Sequence, residues 1–160
     1  MSMELLISTK GNKYEVEDKS SGRNLYTVKR KGFGTTRYVL LDTSKYNLYS
    51  LVQTSKGQKP TFSLTHNDNG FMNISVKSLF LDPTIIAEGK ENYEFISKDR
   101  REFRIMHNDK EVGTLKTLLT VGEKPQYELT IEQKDFDDYI VLLVVAIDRT
   151  FGDMNRPQKN

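Results

Sequence analysis

Lys29, Arg30, Lys31 and Arg37 place four cations on either side of the break Gly32-Phe33-Gly34. Two readings fit that spacing. A pliable backbone carrying cations and an aromatic suits the phosphate of an anionic head group at an interface. The same residues also suit a solvated hairpin tip, whose long charged side chains keep a strand edge from aggregating. A second basic group, Lys98, Arg100, Arg101 and Arg104, is interrupted by Asp99 and Glu102, so an ion-paired surface is expected there. Neither group is dense enough to predict nucleic-acid binding, because the aromatics fall in strand candidates where a core needs them.

Other chemistry is thinly represented. His66 and His107 each precede an Asn-Asp pair. With Asp68 and Asp109 they would approach a metal site if two hairpins met. No His-Glu-x-x-His spacing supports one, however, and Asp68-Asn69-Gly70 is too short for a calcium loop. Turn formation accounts for these residues, and no metal or cofactor is predicted. Cysteine is absent, which removes disulfides, thiolate ligands and cysteine nucleophiles together. There is no Gly-x-Ser-x-Gly elbow, P-loop or dinucleotide fingerprint. No catalytic residues are predicted, and the sequence reads as a protein that is not an enzyme.

The elements that must carry these residues are mostly short strands. A chain of 160 residues suits one domain with a sizeable core, and 36% hydrophobic with 29% charged residues fits a folded rather than a disordered chain. From Leu5 to about Ile131, apolar residues alternate in short runs bounded by turn formers. Met72, Ile74 and Val76 form one such run; Tyr127, Leu129 and Ile131 form another. About a dozen candidates recur at roughly 8–12-residue spacing, which predicts a barrel or sandwich. A turn is expected at Asn67-Asp68-Asn69-Gly70, where Asn69-Gly70 is among the stronger hairpin signals, and His66-Asn67-Asp68 is echoed by His107-Asn108-Asp109. Residues 1–80 carry 12 Lys+Arg against 6 Asp+Glu and residues 81–160 carry 12 against 16. The two halves of a barrel are expected to interleave and cancel this difference.

One segment breaks the alternation. Tyr139 to Ile147 is an unbroken apolar run with Asp135, Asp137 and Asp138 before it and Arg149 and Gly152 after it. Acids at the start, a base in the last turn and a glycine stop predict a helix from about Phe136 to Phe151, with the aspartates capping it. A carboxylate near an apolar pocket would have a raised pKa and suit an acid, yet capping accounts for Asp137 and Asp138. Asp148 is expected to pair with Arg149 or with backbone amides at the exit. Apolar residues face every direction, so the helix must be enclosed on all sides. Nine residues rise about 14 Å, well short of a bilayer core near 30 Å, so no transmembrane segment is predicted. A closed barrel around the helix is the remaining arrangement.

Asp137-Asp-Tyr-Ile-Val-Leu-Leu-Val-Val-Ala-Ile-Asp148, followed by Arg149, resembles the terminal helix of the tubby C-terminal-like superfamily, and most closely its LURP-one-related group. Asn108-Asp-Lys-Glu-Val-Gly-Thr-Leu-Lys116 is similar to that group's hairpin, and Tyr127 to Ile131 to the strand leading to the helix; Leu25 to Lys31 looks like its early strand. The resemblance implies a closed antiparallel β-barrel of about twelve strands around one central hydrophobic C-terminal helix. A single domain over residues 1–152 and a polar tail over 153–160 follow. Tubby proteins bind phosphoinositide head groups, so the resemblance and the loop together give a non-catalytic binding or scaffold module. Its expected ligand is a lipid head group or anionic membrane surface, held by Lys29, Arg30, Lys31 and Arg37. The alternative partner is another protein, bound along an exposed strand edge or hairpin face. Met1 to Ser8 lacks the regions of a secretory leader, so a cytoplasmic location, peripheral at the membrane, is expected.

Overall fold

A computed structural model describes residues 1–32, 34–119 and 124–155. Its first six strands are β1 (Ser2–Lys10), β2 (Lys13–Asp18), β3 (Asn24–Lys31), β4 (Arg37–Leu41), β5 (Asn47–Ser55) and β6 (Thr61–His66). The next six are β7 (Asn69–Ser78), β8 (Thr84–Gly89), β9 (Tyr93–Ser97), β10 (Glu102–His107), β11 (Lys110–Leu118) and β12 (Gln126–Glu132). Each pairs antiparallel with its neighbour in sequence. β1 also pairs with β12, from Ser2↔Glu132 to Ser8↔Gln126, and closes the sheet into a barrel. Inside it runs one helix, α1 (Ile140–Asn155).

The alternation read from sequence is the wall of this barrel. In β7, Met72, Ile74 and Val76 are buried while Asn73, Ser75 and Lys77 face out, as the two-residue period of a strand requires. Residues 1–80 build β1 to β7 side by side, so the two halves of the chain do not interleave. In a meander each half becomes one side of the wall, and the charge difference between them survives folding.

Both His-Asn-Asp echoes are hairpins of one geometry. Asn67 and Asp68 have φ of 52° and 63°, and Asn108 and Asp109 have 50° and 67°. Paired left-handed residues make the two-residue turn whose twist matches the flanking strands. The first turn therefore sits before Asn69-Gly70, which opens β7 instead. Gly70 falls where the β6–β7 register shifts between Leu64 and Thr65.

Enclosure of the helix is complete, since every residue from Tyr139 to Ile147 is at most 2% exposed. Its ends differ from the sequence reading. The helix begins at Ile140 rather than Phe136, after a single 3₁₀ turn over Gln133–Asp135, and it continues to Asn155. The aspartates do not cap it: Asp135 accepts from His107, Asp138 from the Tyr26 hydroxyl, and Asp137 from the Asp138 backbone N–H. Helical winding starts only where the chain is already inside the barrel, so the carboxylates stay at the rim beside donors. Gly152 is no stop either; it lies within the helix. Asp153 to Asn155 are helical, and residues 156–160 of the expected tail lie outside the described residues. Among the described residues no helix is long and apolar enough to cross a membrane.

Val144→Asp is expected to cost several kcal/mol by burying an unpaired carboxylate, a large part of a domain stability of about 5–15 kcal/mol. Urea unfolding checks it; an unchanged midpoint would mean that the helix is not sealed in.

Candidate functional site

Because every strand pairs with its sequence neighbour, successive connections alternate between the two ends of the barrel. The β1–β2, β3–β4, β5–β6, β7–β8, β9–β10 and β11–β12 connections share one end with the C-terminal half of α1. Tyr14 and Tyr127, near the starts of β2 and β12, reach Asp148 there, and Phe103 packs on Phe151 at 5.7 Å between ring centroids. Tyr139 lies at the other end, among Tyr49, Phe71 and Tyr93.

Charge is sorted between these ends. Counting the described residues of each connection with its flanking strand residues, the first end holds ten Lys+Arg and three Asp+Glu, and the second holds six and nine. The β3–β4 and β5–β6 connections at the first end bring cations and no carboxylate. Register sharpens the effect. Lys10 stands opposite Lys13, Lys13 opposite Lys29, and Lys31 opposite Arg37. Like charges directly across a sheet destabilise it, so this arrangement does nothing for the fold. Glu15 relieves part of it, at 3.0 Å from Lys10 and 3.5 Å from Lys13.

Lys29, Arg30 and Lys31 are exposed, and among the described residues they form no ion pair. Arg37 stands apart from them. It lies opposite Val52, part-way along β5, and its guanidinium reaches Asp68 at 3.2 Å and Ser50 at 3.3 Å. It lines a separate cavity of about 340 Å³ with Tyr46, Tyr49 and Asp68. Phe33, the aromatic in the loop, lies outside the described residues. The second basic group gains from its turn: Asp99 accepts the backbone N–H groups of Arg101 and Glu102 at 2.9 and 3.0 Å. Those bonds, that of Glu102 foremost, hold its carboxyl below the usual range. Asp99 thus bonds its own turn, and Lys98 and Arg101 form no ion pair among the described residues.

Asp148 is satisfied from inside the barrel, with neither Arg149 nor rim amides as its partner. Tyr14 and Tyr127 donate their hydroxyls to its two carboxylate oxygens at 2.6 and 2.5 Å. Burial first, and then the Asp148 charge, push both phenols well above their ordinary pKa, so they act as fixed donors and not as nucleophiles. Gly152, one turn on, makes the room: a Cβ there would stand 2.6 Å from Asp148 Oδ1 and 3.5 Å from the Tyr127 hydroxyl. Sequence reading misses this cluster. The available signal is Tyr14 and Tyr127 in phase with the inward residues of their strands, beside a carboxylate that ends an enclosed run.

The histidines lie at the opposite end. His66 packs on Tyr49 and His107 stacks on Tyr93, and both tyrosines pack on Tyr139. His107 binds Glu91 through Nε2 and Asp135 through Nδ1, each at 3.0 Å, so no ring nitrogen is left to take a proton from a substrate. Burial works to lower the His107 pKa, but the bonds to Glu91 and Asp135 outweigh it and raise it above 6.5. Among the described residues no group of three His, Asp or Glu side chains could hold a metal ion.

Compared with known families, residues 2–148 match the family model described as LURP-one-related. The span takes in all twelve strands and the unbroken apolar run of α1. No curated protein gives a match.

Two outcomes test these clusters. Gly152→Ala offers about 1 kcal/mol of helix propensity, but its methyl displaces Asp148 from charged hydrogen bonds worth about 1.5–3 kcal/mol each. The variant is expected to melt below the parent, and a raised midpoint would show that Asp148 has slack. For His107, a folded pKa above the unfolded one means stabilisation present below pH 6.5 and lost as pH rises through the raised value. His107→Gln should therefore lose more stability relative to the parent at about pH 5.5 than at about pH 8.5, measured by urea unfolding at both.

Proposed function

The chain belongs to the LURP-one-related family, and from that premise we propose a non-catalytic binding module that turns its basic end towards anionic lipid head groups. One observation carries the reading: Lys13 faces Lys29 and Lys31 faces Arg37 across the sheet. Glu15 and Asp68 offset Lys13 and Arg37 in these pairs, which leaves Lys29 and Lys31 for a bound anion to neutralise. Lys29, Arg30 and Lys31, exposed and free of carboxylates, are the groups that meet the head group; Arg37 acts behind them through Asp68. The interior supports a binding rather than a catalytic role, because α1 fills the barrel and Tyr14, Tyr127, Tyr93 and His107 have their hydrogen bonds committed. A protein partner added as an extra strand is not available to this fold, since the closed barrel has no unpaired edge.

Vesicle co-sedimentation tests the reading. Each Lys or Arg near an anionic surface contributes about 1 kcal/mol, so removing the three charges of Lys29, Arg30 and Lys31 weakens binding by roughly a hundredfold, and reversal to Glu by more. The parent should bind phosphatidylglycerol vesicles at low salt and release them at high salt. Equal binding by parent and triple variant, or none by the parent, would refute the proposal.

A further inference from the structure

Phe80 and Leu81 stand side by side in the β7–β8 connection and are 68% and 85% exposed. Single exposed apolar residues are ordinary, but adjacent ones held outward are not. These are held. Leu79 before them and Pro83 after them are buried, and the Ser78 hydroxyl donates to the Leu81 carbonyl. The Thr84 hydroxyl donates to the Asp82 carbonyl at 2.6 Å, and the Ser97 N–H to the Pro83 carbonyl at 2.8 Å. The pair is thus displayed on a pinned turn, with little entropy left to lose on binding.

Its place matters as much as its exposure. The β7–β8 connection lies at the same end as Lys29, Arg30 and Lys31, and Leu118 and Met154 are exposed at that end too. Of the large apolar residues exposed among those described, only Met1 and Tyr46 lie at the other end. Cations and apolar tips together match an anionic bilayer, which attracts the first at a distance and takes up the second at the acyl boundary. Stable attachment needs two such signals. We propose that Phe80 and Leu81 form a membrane wedge. It rests on the proposed function and adds an orientation: the basic end faces the bilayer, with the C-terminus of α1 towards it and the carboxylate-rich end towards water.

The chain contains no tryptophan, so Phe80→Trp gives a single fluorescent reporter, with Tyr46→Trp as the reference at the opposite end. On phosphatidylglycerol vesicles, emission from the Phe80→Trp variant should move to shorter wavelength and be quenched by brominated acyl chains. Emission from the Tyr46→Trp variant should not change. Phe80→Ser with Leu81→Ser should weaken vesicle binding about tenfold or more while leaving the thermal midpoint near that of the parent. Salt-sensitive vesicle binding with unshifted emission from the Phe80→Trp variant overturns the wedge and leaves the head-group reading standing. No binding by any variant overturns both. A shift in the Phe80→Trp variant that grows with protein concentration in the absence of vesicles assigns the pair to a second copy of the chain, and also overturns the wedge.

Discussion

A helix that is apolar on every side has no stable place in water, and this constraint sets the rest of the molecule. Tyr139 to Ile147 cannot rest on one face of a sheet, because the far side would stay wet. Nor can an open sheet curl round it without leaving two strand edges. Pairing β1 with β12 meets both demands: it surrounds the helix and removes every edge. Interruptions in the ladders, such as the shift between Ile105 and Met106 opposite Gly113 and Glu111, supply the bends that closure needs. Gly113 is fitted to the same wall, since a Cβ there would collide with the Thr130 carbonyl oxygen on β12.

Enclosure moves the difficulty to the two ends, where the chain must bring polar groups close to a dry interior. The ends solve it differently. At the basic end a carboxylate on the helix itself takes donors from two strand phenols. At the other end the connector supplies the carboxylate of Asp135, and His107 from β10 supplies the donor. Tyr93 joins this second cluster to the core: its hydroxyl donates to the Asp135 carbonyl at 3.1 Å, and burial pushes its pKa up to about 12. Each end is thereby locked to the barrel by at least one hydrogen bond that spans distant parts of the sequence.

How far the sequence discloses this follows from the range of the interactions. Strand alternation in β7 and β12, and the unbroken run of α1, are local patterns, and both are readable together with the family. The helix start is misread because Asp135, Asp137 and Asp138 look like caps locally, while their partners Tyr26 and His107 are remote in the chain. Gly152 looks like a stop for a similar reason: only the folded chain shows that it leaves room for Asp148. The like-charge pairs are also hidden, because a basic loop can be seen in sequence but the register that sets Lys13 against Lys29 cannot. Asp99 misleads in the opposite direction, since adjacency suggests ion pairing and the turn geometry gives its carboxylate to backbone amides.

The same constraint confines where function can reside. Barrels that carry a ligand inside leave their axis open, whereas here the axis is filled by α1. Any partner must then meet the outer wall or an end. The wall is lined along β7 with short polar and charged side chains such as Asn73, Ser75 and Lys77, which offer little to grip. The ends carry the connections, and a meander sends every second connection to the same one. Such a topology lets six loops from distant stretches of sequence build one face without altering the wall. Charges placed on those loops cost the core nothing, because their side chains lie beyond the apolar layer. Lys29 and Lys31 are the exception: they stand opposite Lys13 and Arg37 and, among the described residues, have no carboxylate of their own, which is the physical reason to seek the ligand at that end.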